Sequence, residues 1–484
     1  MERRQFLQYA GSSIAAIALV QCTRAAKHQR PSPPLVSVDG ALTVDLTATE
    51  QTVTLAGRSA QLLTYNGQMP GPLWEVQAGD TLAVNFTNGL TQPTNLHFHG
   101  LHIPPTDRAD NVFVSVPSGE QFRYEFAIAP THPGGLFWYH PHHHGLVAAQ
   151  LAGGLAGPLI VRGAVDAIPE IQAASEEILV LQDFDLTWRG QRREPTPIFR
   201  RWGRQGDLIT VNGDRAPGLT IPQRGLLRLR LLNASPSRIY RLRLENHPWH
   251  LIGMDGSTLA APLALDDLIL APGNRADVLV AGDREPGAYT LMSLPYDRGI
   301  SDMMAAMEDD AAPSVDAATG AIAQLQYGDA TTEVPLPQTL LTSPELPTPS
   351  RRREFVLDHG IDGDQAFLIN GRGFAHDRVD TTVQLGTVEE WHIVNKAGMD
   401  HPFHLHTNAF QIVRRNGQPV PTPMWQDVVN IPAYESVDLL VPFNDFAGKT
   451  VYHCHILDHE DQGMMGIIEM QAASTHRATQ QSMI

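Results

Sequence analysis

The chain has 484 residues, 42% of them hydrophobic and 18% charged, and a formal net charge of −17 at pH 7. That length suggests about three domains, and the composition excludes a disordered chain or a coiled coil. The acidic balance argues against nucleic acid and anionic membrane surfaces as partners, and two cysteines, Cys22 and Cys454, exclude a disulfide scaffold.

The N-terminus carries Arg3-Arg4 ahead of a short apolar run from Tyr9 to Val20. The run is too short to span a bilayer, and the paired arginine resembles a twin-arginine export signal, which predicts export to the periplasm. Cleavage after Ala25-Ala26 is one expectation, and lipidation at Cys22 is the other. Residues 1–34 are set aside as signal and linker.

From residue 35 on, short alternating runs bounded by Gly, Pro, Asn and Asp predict β-strands throughout. Three features recur in one order, about 150 residues apart. The first is a strand ending in Asn-Gly: Thr64-Tyr65-Asn66-Gly67, Thr210-Val211-Asn212-Gly213 and Leu368-Ile369-Asn370-Gly371. The second is an alternating strand: Asp80–Phe86, Leu227–Asn233 and Val388–Asn395. The third is a turn at Val116-Pro117, Ala271-Pro272 and Ile431-Pro432. The expected architecture is three tandem β-sandwiches over 35–165, 175–330 and 351–472, with connectors at Ala164–Glu176 and Thr331–Ser350 and a loose tail over 473–484.

Histidines are numerous, 21 against two cysteines, and they cluster. Copy one holds His97-Phe98-His99 and His140-Pro141-His142. Copy three holds His401-Pro402-Phe403-His404-Leu405-His406 and His453-Cys454-His455, followed by His459 and Met464. Residues i and i+2 of a strand face the same way, about 6.6–6.8 Å apart. Each His-x-His pair therefore presents two imidazoles to one side, and the four pairs together exceed the needs of a single ion. Cys454 faces away from its flanking histidines. With His401, His459 and Met464 it makes two His, one Cys and one Met, the ligand set of a blue-copper electron-transfer centre. Zinc is a poorer match, since structural zinc takes four ligands in a closed site. His143 and His144 are read as extras, and His102, His132, His359, His376, His392 and His476 as ordinary. Copy two lacks a His-x-His pair and an end-strand cysteine, so it is read as a metal-free spacer.

These motifs, from Tyr65-Asn66-Gly67-Gln68-Met69-Pro70-Gly71-Pro72 to Glu460-Asp461-Gln462-Gly463-Met464-Met465, resemble the three-domain multicopper oxidases, the laccase-like family. The resemblance implies an all-β fold of three cupredoxin-like Greek-key sandwiches and four copper ions. It implies a type 1 copper on His401, Cys454, His459 and Met464 and a type 2 copper on His97 and His404. It implies a type 3 pair on His99, His140, His142, His406, His453 and His455. The implied reaction is one-electron oxidation of phenols, aromatic amines or Cu(I) at the type 1 ion, coupled to reduction of dioxygen to water at the other three. Glu460 and Asp110 are the expected proton relays, with Asp107 an alternative to Asp110.

Met303, Met304 and Met307, in an acidic stretch, and Met399 with Asp400 are soft or anionic groups that hint at Cu(I) as substrate. The alternatives are a dedicated cuprous or ferrous oxidase, a non-catalytic structural or cell-division relative, and a copper-storage protein. Non-catalytic relatives lose ligands, and here every ligand position is filled. A two-domain nitrite reductase is disfavoured by the third copy. Because copies one and three can close the cluster within one chain, a monomer is expected.

Overall fold

The computed structural model describes residues 32–299, 319–343, 345–360 and 366–472. Arg3, Arg4 and Cys22, the methionines Met303, Met304 and Met307, and the tail from 473 lie outside the described residues. Among the described residues, six β-sheets make up the fold. Strands between Leu35 and Arg162 form one four-stranded and one five-stranded sheet, and those from Ser175 to Ala330 and from Arg351 to Gln471 form a six- and a five-stranded sheet each. Each pair of sheets encloses its own apolar core, with Trp74 and Phe86 in the first, Trp249 and Leu229 in the second, and Trp391 and Phe403 in the third. The architecture is the expected succession of three cupredoxin-like sandwiches.

The repeated motifs have a shared physical cause. Asn66, Asn212 and Asn370 all take positive φ (54°, 52° and 53°), as do the glycines that follow, so each pair makes the tight turn that Asn-Gly favours. Each Asn side chain also clips a neighbouring strand. Thr47 N–H, Val180 N–H and Val356 N–H donate to Asn66, Asn212 and Asn370 Oδ1 at 2.7, 2.8 and 2.8 Å.

The second and third repeat features are tied together by a second set of asparagines. Asn88, Asn233 and Asn395 end the second-feature strands. Their Nδ2 atoms donate to Val116 O, Leu270 O and Ile431 O at 2.9, 2.9 and 3.0 Å. Those carbonyls belong to, or directly precede, the proline turns. Each second-feature strand runs parallel to the first long strand of its sandwich: Ala41–Leu55 with Thr81–Asn88, Ser175–Phe184 with Leu226–Asn233, and Arg351–His359 with Thr387–Asn395.

Two five-stranded sheets carry the histidine motifs. In the first sandwich, His97–His99 is the edge strand beside Gly135–His140, with His97 opposite His140. In the third, His401–Leu405 lies between Val428–Ile431 and Gly448–Cys454, with His404 opposite His453. Helices are short among the described residues. Pro197–Trp202 rises from the second sandwich, and Leu457–Asp461 carries His459 and Glu460 directly after the Cys454 strand.

Candidate metal centre

Only His97-Phe98-His99 lies wholly within a strand; His142, His406 and His455 fall just past strand ends, and the four His-x-His pairs nevertheless come face to face. His97 stacks on His406 and His99 on His404, with ring centroids 3.9 Å apart in both cases. His142 Nε2 lies 3.2 Å from His453 Nε2, and His406 Nε2 lies 3.0 Å from the same atom. All eight imidazoles are buried, none more than 2% exposed. Burial first, and then neighbouring imidazoles, hold His97, His142, His406 and His455 well below the usual histidine range. Burial takes His140 down to about 3 and His453 to about 4, although a backbone carbonyl at Nδ1 opposes the shift in each. The rings are therefore neutral, with lone pairs free for a metal.

Several tautomers are fixed by acceptors that cannot donate. Nδ1–H of His140, His404 and His453 donates to Pro141 O, Asp427 O and Cys454 O at 2.9, 2.7 and 2.9 Å. Nδ1 of His97 sits on Asp110 at 2.8 Å. This is the outer hydrogen bond that orients metal-binding histidines. What remains inside is a set of buried nitrogens without partners: His97 Nε2, His99 Nδ1, His140 Nε2, His404 Nε2, His406 Nδ1 and both nitrogens of His455. Orphaned buried polar atoms of this kind cost about 1–3 kcal/mol each, and their number in one chamber points to a bound ligand.

The second group is smaller. His401 Nδ1 lies 3.4 Å from Cys454 Sγ and 3.2 Å from His459 Nδ1, and Sγ is 3.7 Å from His459 Nδ1. Ile456 N–H donates to Sγ at 3.4 Å. Burial pushes the Cys454 thiol up, so a soft cation must hold it as thiolate. Met464 is fully buried in the same core cluster, and its carbonyl accepts Cys454 N–H at 3.0 Å. The donor set of both groups, imidazole in one and imidazole with thiolate in the other, fits copper.

The acidic candidates separate cleanly. Asp110 is 1% exposed, accepts Phe98 N–H at 2.9 Å and is pushed up to about 8 by burial. Asp107 is exposed, so Asp110 is the residue at the cluster. Glu460 is fully buried with both oxygens lacking a hydrogen-bond partner. Oε2 stands 3.3 Å from His453 Nδ1, and Oε1 stands 3.7 Å from His142 Nδ1. Burial, with Asp461 adding to it, raises its carboxyl well above the usual range.

Other expectations are corrected. Met399 is wholly inside the third core, and Asp400 is 3% exposed, accepting Tyr296 O–H at 2.8 Å and Asn430 Nδ2–H at 2.7 Å. Neither offers a group to an incoming reductant, because packing and hydrogen bonds have already consumed both. His359, read as ordinary, places Nε2 3.3 Å from His401 Nε2. His143 does stand apart, on Ser115 Oγ at 3.0 Å.

The second sandwich is more than a spacer. Its own His247 is spent on Glu245 O and Tyr327 O–H, but its third-feature loop reaches the chamber. A Cβ on Gly273, where φ is +85°, would stand 2.8 Å from His455 Nε2. Arg275 grips Asp427 with Nη1 at 2.7 Å and Nη2 at 2.6 Å, and its Nε donates to Leu136 O at 3.1 Å. Asp427 Oδ1 in turn lies 3.0 Å from His99 Nε2. Burial pushes Asp427 up to about 7, against the pull of Arg275. The approach is so close that a Cβ on Gly100 would come within 2.1 Å of Arg275 Nη2. One arginine thus joins all three sandwiches behind the imidazoles. Arg275 lies three residues after the repeated Ala271-Pro272 turn, but the sequence carries nothing that pairs it with Asp427.

Finally, the His459 ring is covered. The helix Pro197–Trp202 lays Arg201 O against its Nε2 at 3.1 Å, Phe367 stacks on the ring at 3.9 Å, and the residue has no exposed surface.

Three family models, each described as multicopper oxidase, match residues 47–165, 188–309 and 344–473. A multicopper oxidase of Staphylococcus aureus is 28% identical, with 86% of this chain and 85% of that protein covered. The cell division protein FtsP of Photorhabdus laumondii is 30% identical, with 96% and 97% covered. A solved structure of a multicopper oxidase from Campylobacter jejuni, described as a metallo-oxidase, superposes with TM-score 0.79 at 29% identity, covering 91% of this chain and 94% of that one.

Proposed function

The chain belongs to the multicopper oxidase family, and on that premise we propose that it oxidises a small reductant in one-electron steps and reduces dioxygen to water. In this reading His401, Cys454, His459 and Met464 hold a type 1 copper, His97 and His404 a type 2 copper, and His99, His140, His142, His406, His453 and His455 a type 3 pair. When bound, the coppers supply the one-electron acceptor at the first group and the dioxygen-binding, four-electron donor at the second. The observation that carries the reading is the set of buried, unpartnered imidazole nitrogens in the chamber between the first and third sandwiches.

The chain's own residues do the rest. Asp110, Asp427 and the carbonyls of Pro141, Asp427 and Cys454 orient the rings and fix which nitrogen faces inward. The residues His453-Cys454-His455 join the two groups through one short stretch of backbone. Packing of both sandwiches excludes bulk water, which strengthens every charge interaction inside. Glu460, its carboxyl raised by burial, stands within reach of His453 and His142, and Asp110 stands beside His97. These two carboxyls are the proton donors to the chamber.

Phenols and aromatic amines are the reductant class we favour. The likeness to a metallo-oxidase supports Cu(I) as a second substrate class. The test is oxygen uptake by the copper-loaded protein with a simple phenol and with Cu(I) in a chelating buffer. Uptake driven mainly by the phenol supports the laccase-like reading, and uptake driven mainly by Cu(I) supports the metallo-oxidase reading. The FtsP likeness favours a third reading, a cell-division protein, and no uptake with either reductant at full copper loading would favour it.

A further prediction concerns Met464. Thioether ligation stabilises the oxidised ion less weakly than no ligand would, so Met464→Leu is expected to raise the type 1 potential by about one tenfold step in the one-electron equilibrium, ~59 mV. A redox titration of the visible band that leaves the midpoint unmoved would remove Met464 from the ligand set.

A further inference from the structure

Arg298 is 4% exposed and closes one side of a cavity of about 540 Å³ beside the Pro197–Trp202 helix. Its hydrogen bonds among the described residues all go to uncharged oxygens. Nη1 donates to Ser237 O and Nη2 to Trp202 O, both at 2.9 Å. The Gln205 amide, with its oxygen turned toward the guanidinium, accepts from Nη2 at 3.1 Å and Nε at 3.2 Å. A buried cation is ordinarily paired with a carboxylate, because its desolvation is costly. Burial, with Arg238 adding to it, lowers Arg298 to about 10, which leaves it charged at neutral pH.

Its contacts surround the type 1 ligand group. Trp202 follows Arg201, whose carbonyl holds His459 Nε2. Ser237 packs at Gly203 beside Ile456, where an added Cβ would meet Ile456 Cγ2 at 2.5 Å and Ser237 Cβ at 2.8 Å, and Ile456 N–H donates to Cys454 Sγ. Arg298 O accepts from Asp400 N–H at 2.8 Å, immediately before His401.

We propose that Arg298, a fixed cation with no carboxylate hydrogen-bonded to it and with Asp183 and Asp400 as its neighbouring anions, holds the His401–Cys454–His459 centre at a higher reduction potential than its ligands alone would set. The inference rests on the copper reading above. Uptake of one electron lowers the charge of the centre by one unit, and a nearby positive charge favours the less positive state. A unit charge on the order of 10 Å away, at an effective dielectric of about 20, shifts a one-electron equilibrium roughly tenfold, or ~59 mV.

The experiment is a redox titration of the thiolate-to-copper absorption band in wild type, Arg298→Gln, Arg298→Lys and Gln205→Glu. Arg298→Gln removes the charge, and Gln205→Glu supplies a counter-ion while leaving Arg298 in place. Both are expected to lower the potential by about a tenfold step, ~59 mV, with the band intact. Arg298→Lys keeps the charge and is expected to stay near wild type. Equal potentials in wild type and Gln205→Glu would overturn the proposal, even if Arg298→Gln fails to fold. A drop in Arg298→Lys as large as in Arg298→Gln would overturn it too, since hydrogen bonding and not charge would then be responsible. Wild-type protein that takes up copper without the band would mark failure of the copper reading, which is seen before any variant is compared.

Discussion

Arg275→Met is expected to destabilise the metal-free protein by about 3–5 kcal/mol, the usual cost of removing one partner from a buried ion pair. Arg275 is 1% exposed and Asp427 3%, so the stranded carboxylate cannot recover its hydration. The loss reaches beyond the pair, because Leu136 O in the first sandwich loses its donor as well. Asp427 would also be freer to leave His99, so copper held by the eight-imidazole chamber should fall while the thiolate-to-copper band persists. Urea unfolding monitored with copper analysis checks both parts. The double variant Arg275→Met/Asp427→Leu should recover much of the stability, since replacing both charges by apolar groups is far less costly than orphaning one. A single variant within about 1 kcal/mol of wild type would show that the three-way joint does not carry the interface.

Glu460→Gln is expected to slow turnover by about 10²–10⁴-fold at unchanged copper content, the usual contribution of a positioned acid or base. Glutamine keeps the shape and the burial, but it cannot give up and regain a proton. Oxygen uptake at saturating reductant, alongside copper analysis and the visible spectrum, separates a proton-delivery defect from a loss of metal. Wild-type turnover in this variant would transfer the role to Asp110 alone.

The repeats, the strands and the His97-Phe98-His99 face were legible because each rests on local rules: Asn-Gly turns with two positive φ values, and side chains that alternate along a strand. Cys454 between two histidines was legible for the same reason. Asp427, Arg275 and His359 were not. Each acts across copies or across strands, at separations that leave no periodic trace, and each looks like an ordinary polar residue in its own segment. Reading the second copy as a spacer followed from its missing ligands, whereas its contribution is a loop that supports the ligands of others. The substrate role assigned to Met399 and Asp400 failed because adjacency to His401 in sequence places both on the inner side of that ligand, away from solvent.

The cover over His459 has a consequence for selectivity. In the proposed copper reading, an electron donor would meet the Pro197–Trp202 peptide and not the His459 imidazole edge, so no hydrogen bond from the donor to that ring would select its outline. Donors of different shape but equal oxidation potential would then react at comparable rates, and the ranking of substrates would follow electrochemical driving force, as it does for a shielded electrode.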